Sequence, residues 1–193
     1  MDTIYLNNLE LKTFTGQDAL DYCQLNNINP DNITELDLFD NKLTDITGIN
    51  LFKNLEKLYL WNNNLTDISV LKYLNNLKFL GLIGNNITDI FPLKNLISIE
   101  ELNLGYNEIT DISVLKNLKK LKKLILYNNQ ITDISVIKNL NNLEFLDIDN
   151  LRLESDQIQY INSCKNLEEL NCKNGFKDMS VINKLNNNIK IYE

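Results

Sequence analysis

The hydrophobic positions of this chain recur with a period of 22 residues. The pattern restarts without a gap at Ile33, Leu55, Leu77, Ile99, Leu121 and Leu143. One unit reads LEKLYLWNNNLTDISVLKYLNN from Leu55, and Leu55 is position 1 in the numbering used below. A fixed period of this length is typical of a solenoid, in which each unit packs only against its neighbours. Such a stack offers one long continuous face and no built-in catalytic crevice.

Two sets of apolar positions predict the local structure of each unit. Positions 1, 4 and 6 are apolar, and positions 4 and 6 alternate with polar or variable residues, which predicts a short strand with one buried face. Positions 11, 14, 17 and 20 are also apolar, and this spacing is typical of a 3₁₀ turn or a tight coil. One unit cannot bury both sets alone, so we expect parallel strands stacked over a continuous core.

A column of asparagines occupies position 9, where the chain turns away from the strand. Its members are Asn41, Asn63, Asn85, Asn107 and Asn129. Because an amide carries two donors and an acceptor, it can satisfy the backbone groups that the turn leaves unpaired inside. We favour this structural role over the alternative, an exposed asparagine row that binds a ligand.

A column of aspartates occupies position 13. It comprises Asp45, Asp67, Asp89, Asp111 and Asp133, and Asp178 is a candidate sixth member. Stacked units lie about 5 Å apart, so like charges at this spacing repel and something must offset the repulsion. We favour aspartates that accept the free N–H groups of the following turn. The alternative is a calcium ladder, which needs several oxygen ligands converging on one point, and we expect no metal site or cofactor.

These repeats resemble the leucine-rich repeat family. The 22-residue form with ITDIS after the asparagine turn is similar to the internalin type and to the related phosphatase-regulating type, strongly from Ile33 to about Asn142 and weakly elsewhere. The resemblance implies an α/β solenoid, a right-handed superhelix with a concave parallel sheet and a mostly 3₁₀ or coil convex side. It also implies protein binding, although a fold does not fix the partner.

The two ends depart from the repeat and are predicted to act as caps of a single domain, residues 1–193. We expect an N-terminal cap with a helix over 1–32, five regular repeats over 33–142, and two irregular repeats with a C-terminal cap over 143–193. A capping box at Thr15 opens the first helix, which runs to about Asn26. Its predicted inward residues are Ala19, Leu20, Tyr22 and Cys23. Leu6, Leu9 and Leu11 are predicted to form the first strand-like unit.

Near the other end, Ser155 is predicted to cap a second helix with Ile158, Ile161 and Cys164 inward. Ile189 to Tyr192 is predicted to form a last edge strand. Cys23, Cys164 and Cys172 have neither metal-ligand nor redox spacing, so we interpret them as small buried apolar residues.

Composition narrows the function. The net charge of −7 argues against a nucleic-acid partner, which needs a concentrated basic face. The run of Lys116, Lys119, Lys120, Lys122 and Lys123 is interpreted as a solvated edge, with an acidic protein partner as the alternative. The chain has no histidine and no phosphate-binding glycine loop, so we do not expect an enzyme.

The sequence also bears on location. No signal peptide is visible and no apolar stretch approaches the length of a membrane span, so we expect no membrane partner. These features predict an intracellular, cytoplasmic protein, and signal-independent export to a host is the alternative.

The candidate site lies where the repeat does not dictate the residue, at positions 3, 5, 7 and 8 of the central units. Aromatic and aliphatic side chains collect there, and the predicted partner-binding residues are Phe39, Tyr59, Trp61, Phe79, Ile83, Tyr106 and Tyr127. Gly81, Gly84 and Gly105 lie among them and are predicted to leave a shallow hollow for another chain. Acidic residues flank this centre: Glu35, Asp37 and Asp40 on one side, and Asp147 and Asp149 on the other.

An aromatic centre with a charged rim is typical of protein interfaces, so we expect a non-enzymatic scaffold that holds a protein partner on its concave face. Cross-strand stacking that only stiffens the sheet is the structural alternative. The functional alternatives are a glycan-binding module using Asn62, Asn103 and Asn128, a self-associating structural protein, and, by resemblance alone, a regulatory subunit of an enzyme such as a phosphatase. We expect a monomer, with self-association as the alternative.

Overall fold

The computed structural model describes residues 3–186 and 188–192. Parallel strands lie side by side in chain order in one sheet. The strands of the described chain are β1 (Thr3–Tyr5), β2 (Glu35–Asp37), β3 (Lys57–Tyr59), β4 (Phe79–Gly81), β5 (Glu101–Asn103), β6 (Lys123–Ile125), β7 (Phe145–Asp147), β8 (Glu169–Asn171) and β9 (Lys190–Tyr192). The predicted solenoid and the predicted last edge strand are therefore confirmed.

The strands pair in the register that the repeat predicts. Each residue of a central strand lies beside the residue one period away, so Leu58 pairs with Leu36 on one side and with Leu80 on the other. Each strand covers positions 3 to 5 of its unit, and the position-4 leucine is fully buried. The side chains at positions 3, 5 and 7 therefore stand on the opposite surface, which we call the strand face.

Short helices return the chain on the other side of the sheet. The 3₁₀ helices of the described chain are Pro30–Asn32, Thr47–Leu51, Ser69–Tyr73, Phe91–Asn95, Ser113–Asn117, Ser135–Asn139, Ser155–Gln157 and Met179–Lys184. Two α-helices, α1 (Gly16–Leu25) and α2 (Ile158–Asn162), lie in the irregular units near the ends. The core between the two layers is continuous, because the apolar positions of every regular repeat are buried. Its architecture is the right-handed solenoid with a concave parallel sheet expected from the sequence.

The asparagine column is built into this core. Asn107 donates from Nδ2 to the carbonyl oxygens of Leu104 and Leu82, at 3.0 and 2.9 Å, and its Oδ1 accepts the Ile87 N–H at 3.0 Å. The same bonds recur in the other regular repeats, with the asparagines joining each turn to the unit before it. The structural interpretation of position 9 is confirmed.

The aspartate column closes turns. Each of its members, including Asp178, accepts the N–H of the residue two positions later, at 2.7–3.0 Å. The N–H and hydroxyl of Ser113 hold the pKa of Asp111 below its usual value. The turn-closing interpretation is therefore confirmed. Within residues 3–186 and 188–192, no three His, Cys, Asp or Glu side chains converge as a metal site.

The first cap matches its prediction in part. The Thr15 side chain accepts the Asp18 N–H and the Asp18 carboxylate accepts the Thr15 N–H at 2.7 Å, which is the expected capping box. Ala19 and Cys23 are buried, but Leu20 is 41% exposed, so its predicted inward position is wrong. Leu9 is exposed as well, because the first strand lies earlier, at Thr3–Tyr5, and Leu9 falls in the turn that follows.

The second cap corrects another prediction. Ile158, Ile161 and Cys164 are buried as expected, but Ser155 is the first residue of a 3₁₀ turn and does not cap α2. Burial raises the pKa of the Cys164 thiol to about 11, in keeping with an inert apolar role. In the described part of the chain, no helix is long and apolar enough to cross a membrane.

Candidate functional site

Four aromatic rings form one connected cluster on the strand face across β2 to β4. Trp61 meets Phe39 and Tyr59 edge to face, with ring centroids 6.1 and 5.7 Å apart. The Tyr59 ring lies 4.7 Å from Phe79, which also contacts Trp61 at 6.1 Å. All four side chains are half-buried, because they cover one another. Cross-strand stacking is therefore present and leaves part of each ring accessible, so it fits a stiffened sheet and a pre-formed binding surface equally well.

Glycine at position 5 of β4 makes room for the indole. A Cβ on Gly81 would lie 1.8 Å from Trp61 Nε1, so the ring rests directly on the glycine backbone. Tyr127 covers Gly105 in the same way, since a Cβ there would lie 2.6 Å from its ring. The hollow predicted at these glycines is therefore filled by rings of the chain itself, and that prediction is corrected.

A second, smaller aromatic cluster lies on the adjoining units. Tyr106 meets Tyr127 edge to face with ring centroids 5.1 Å apart. Ile83 is half-buried at position 7, between the unit of Trp61 and the unit of Gly105. The structure thus gathers the seven predicted residues into two aromatic clusters with Ile83 between them.

Tyr106 occupies a backbone position that does not favour tyrosine. Position 8 has a left-handed backbone in every central repeat, and its occupants elsewhere are Asp40, Asn62, Gly84, Asn128 and Asn150. These residue types tolerate such a backbone, whereas a bulky side chain there costs about 1–2 kcal/mol. Tyr106 has φ of 50° and its side chain is 58% exposed, so the ring does not offset that cost by burial in the core.

Two carboxylates lie at the end of the strand face beyond Tyr127. Asp147 is only 7% exposed, and its oxygens accept the Asp149 N–H and the Asn171 amide, each at 3.0 Å. Burial raises the pKa of Asp147, and the nearby charge of Asp149 raises it further. Burial also raises the pKa of Tyr127, with a contribution from Asp147, which places the phenol beside the two carboxylates.

Alternating charge lines the position-3 edge of the strand face. Along β2 to β7 this position reads Glu35, Lys57, Phe79, Glu101, Lys123 and Phe145. Lys57 pairs with Glu35 at 3.4 Å, and this carboxylate raises the pKa of Lys57. A cleft of about 380 Å³ opens beside Tyr59 and Phe79, bordered by these charges. The predicted charged rim is thus mixed in sign along this edge.

Unpaired polar atoms are the features that sequence reasoning missed. Asn103, weighed above only as a sugar ligand, is 6% exposed, and its Oδ1 has no hydrogen-bond partner in the described part of the chain. Trp61 Nε1 and Asp149 Oδ1 are also buried without partners there. No sequence signal distinguishes Asn103 from the many solvated asparagines, because its burial depends on the large side chains of neighbouring repeats.

Known proteins place the chain in a class. The family model described as leucine-rich repeats (2 copies) matches residues 31–73, 75–117 and 119–159. These segments cover more than half of the sequence, and the chain belongs to the leucine-rich repeat family. No curated protein matches the sequence significantly.

Solved structures narrow the likeness to internalins. The chain is similar to an internalin (inlF) from Listeria monocytogenes, with 30% identity and a TM-score of 0.67, over 83% of this chain and 54% of that one. It is also similar to internalin C2 (inlC2) of the same organism, with 31% identity and a TM-score of 0.64, over 84% of this chain and 81% of that one. The PEPR1–AtPEP1 structure shares the fold at 23% identity, with a TM-score of 0.63, over 75% of this chain and 22% of that one.

Proposed function

We propose that this protein is a non-enzymatic scaffold that holds a protein partner on the strand face. The observation that carries the proposal is Tyr106, an exposed aromatic ring at a backbone position where the other central repeats have Asn, Asp or Gly. Strain of this kind persists where it serves a function, and an exposed ring contributes no core burial in return.

The rest of the strand face supports the same function. Half-buried aromatic clusters with a charged border resemble the anchors and rim of protein interfaces. Because the rings already hold one another in place, a partner would lose little entropy in ordering them. Leucine-rich repeats commonly mediate protein binding, in agreement with this assignment.

A glycan site receives less support. Sugar recognition needs polar groups that converge beside an exposed ring, and two of the three asparagines considered for this role are engaged or covered. Asn103 is buried, and Asn128 accepts a hydrogen bond from Asn150 at 2.5 Å. Regulation of an enzyme such as a phosphatase and self-association through the aromatic clusters both remain within the protein-binding class.

A pull-down with the immobilised wild-type chain tests the class of partner. We expect a specific protein to be recovered, no binding on a glycan array, and a monomer by light scattering at several concentrations. A glycan hit without a protein partner would overturn the proposal in favour of a sugar-binding module. A mass that doubles with concentration would instead identify a second copy as the occupant of the face.

Replacing Tyr106 by asparagine separates its structural role from its functional role. We expect Tyr106→Asn to keep the free energy of unfolding within about 1 kcal/mol of wild type, because relief of backbone strain offsets the lost contact with Tyr127. Affinity for the captured partner should fall by about tenfold or more. Thermal unfolding and isothermal titration calorimetry measure the two quantities.

The matched comparison for this variant is Tyr106→Ala. It removes the same ring without relieving the strain as well as asparagine does, so it should be less stable than Tyr106→Asn by about 1 kcal/mol and bind equally weakly. Unchanged affinity in Tyr106→Asn would contradict a binding role for this tyrosine.

A further inference from the structure

Charge on the strand face is unbalanced at its inner positions. Along β2 to β7, positions 5 and 7 include three aspartates, Asp37, Asp147 and Asp149, and no lysine or arginine. Two of these carboxylates, Asp147 and Asp149, lie together beside Tyr106 and Tyr127. We call these four residues the acidic–aromatic patch.

The carboxylates of this patch lack a cation within the protein. The nearest lysines by position are Lys123, whose ammonium lies 5.1 Å from the Phe145 ring centroid, and Lys173, which follows β8. Among the described residues, neither lysine forms an ion pair with Asp147 or Asp149. Asp147 is nevertheless nine-tenths buried, and a buried carboxylate without a compensating cation is costly.

The unpaired atoms near this patch are acceptors. Asp149 Oδ1 has no donor, and neither does Oδ1 of Asn103, which is nine-tenths buried on β5, two residues before the glycine that Tyr127 covers. Buried acceptors of this kind cost about 1–3 kcal/mol each until a donor reaches them. This part of the strand face is therefore short of both positive charge and N–H groups.

We infer that the acidic–aromatic patch receives a lysine or arginine side chain of the protein partner. The inference rests on the proposed function and specifies the chemistry of the partner. The cationic head pairs with Asp149 and offsets the charge of Asp147, while the alkyl stem and the cation lie against the rings of Tyr106 and Tyr127. An acidic segment is repelled here, and a neutral one leaves the carboxylates uncompensated.

A displayed library of random 12-residue peptides, panned on the immobilised full chain, tests the inference without knowledge of the natural partner. We expect the selected peptides to be enriched in lysine and arginine relative to the starting library. Their affinity should fall about tenfold in Asp149→Asn and more steeply in Asp147→Asn with Asp149→Asn. It should also decrease as salt concentration rises.

Asp156→Asn is the matched control. It removes one negative charge from an exposed residue of the same irregular unit, outside the strand face, and should leave peptide affinity unchanged. Circular dichroism melting checks that every variant is folded.

The outcomes separate this inference from the proposed function. Selected peptides that lose binding to Trp61→Ala with Tyr127→Ala, but are neither basic nor sensitive to Asp149→Asn, would overturn the inference and leave the strand face as the binding surface. Peptides that bind this aromatic double variant as well as wild type would count against the proposed function itself. A library that yields no binder, or equal loss in Asp156→Asn, would also contradict the inference.

Discussion

Replacing Asn107 by alanine is expected to lower the free energy of unfolding by about 3 kcal/mol. The change leaves the buried carbonyl oxygens of Leu82 and Leu104 and the N–H of Ile87 without their side-chain partner. No water reaches these groups to replace the amide, because the neighbouring units cover them. In a domain of this size the expected fall in melting temperature is about 6–12 °C.

The measurement is denaturant unfolding followed by emission from Trp61, the single tryptophan of the chain. Asn117→Ala is the control, because Asn117 is an exposed asparagine of a 3₁₀ helix and its loss should change stability by less than about 0.5 kcal/mol. Partner binding should be retained by folded Asn107→Ala protein. If the two alanine variants are equally stable, the asparagine column is not the structural element described above.

The double variant Trp61→Ala with Tyr127→Ala is expected to abolish capture of the partner. The residues belong to different aromatic clusters, and each covers a glycine of the next strand. An interface anchor commonly contributes about 2 kcal/mol or more, so losing both lowers affinity by roughly a thousandfold if the two sites are independent. Because neither side chain lies in the core, the solenoid should still fold.

The control removes two aromatic rings from the other side of the molecule. Tyr73 and Phe91 belong to the 3₁₀ layer and are more exposed than Trp61 and Tyr127. Tyr73→Ala with Phe91→Ala should therefore bind as wild type in the same titration. Equal recovery of the partner by both double variants would show that the strand face is not the binding surface.

The fold could be predicted almost completely from the sequence, because one period sets strand, turn and core at once. Leu58, Asn63 and Asp67 each repeat the role of the residue 22 positions earlier, so a single unit explains five. Prediction failed where the period ends. Leu20 and Ser155 lie in irregular units, where no neighbouring copy indicates which side of the helix is covered.

The candidate site could be predicted in identity and not in arrangement. Subtracting the structural columns left the aromatic residues, and the structure places them together on one face. The position of the Trp61 ring over Gly81 could not be foreseen, because it depends on which direction a long side chain leans across the sheet. For the same reason the burial of Asp147 and Asn103 was not apparent, since both are polar residues on a surface expected to be solvated.

Hydroxyl-radical footprinting of the complex with the captured partner tests the central claim most directly, because it perturbs no residue. The account predicts that the partner slows oxidation of Trp61, Tyr106 and Tyr127, while Tyr73 and Phe91 react at the rate of the unbound chain. Protection confined to Tyr73 and Phe91, with Trp61, Tyr106 and Tyr127 unchanged, would contradict the strand face as the surface that holds the partner.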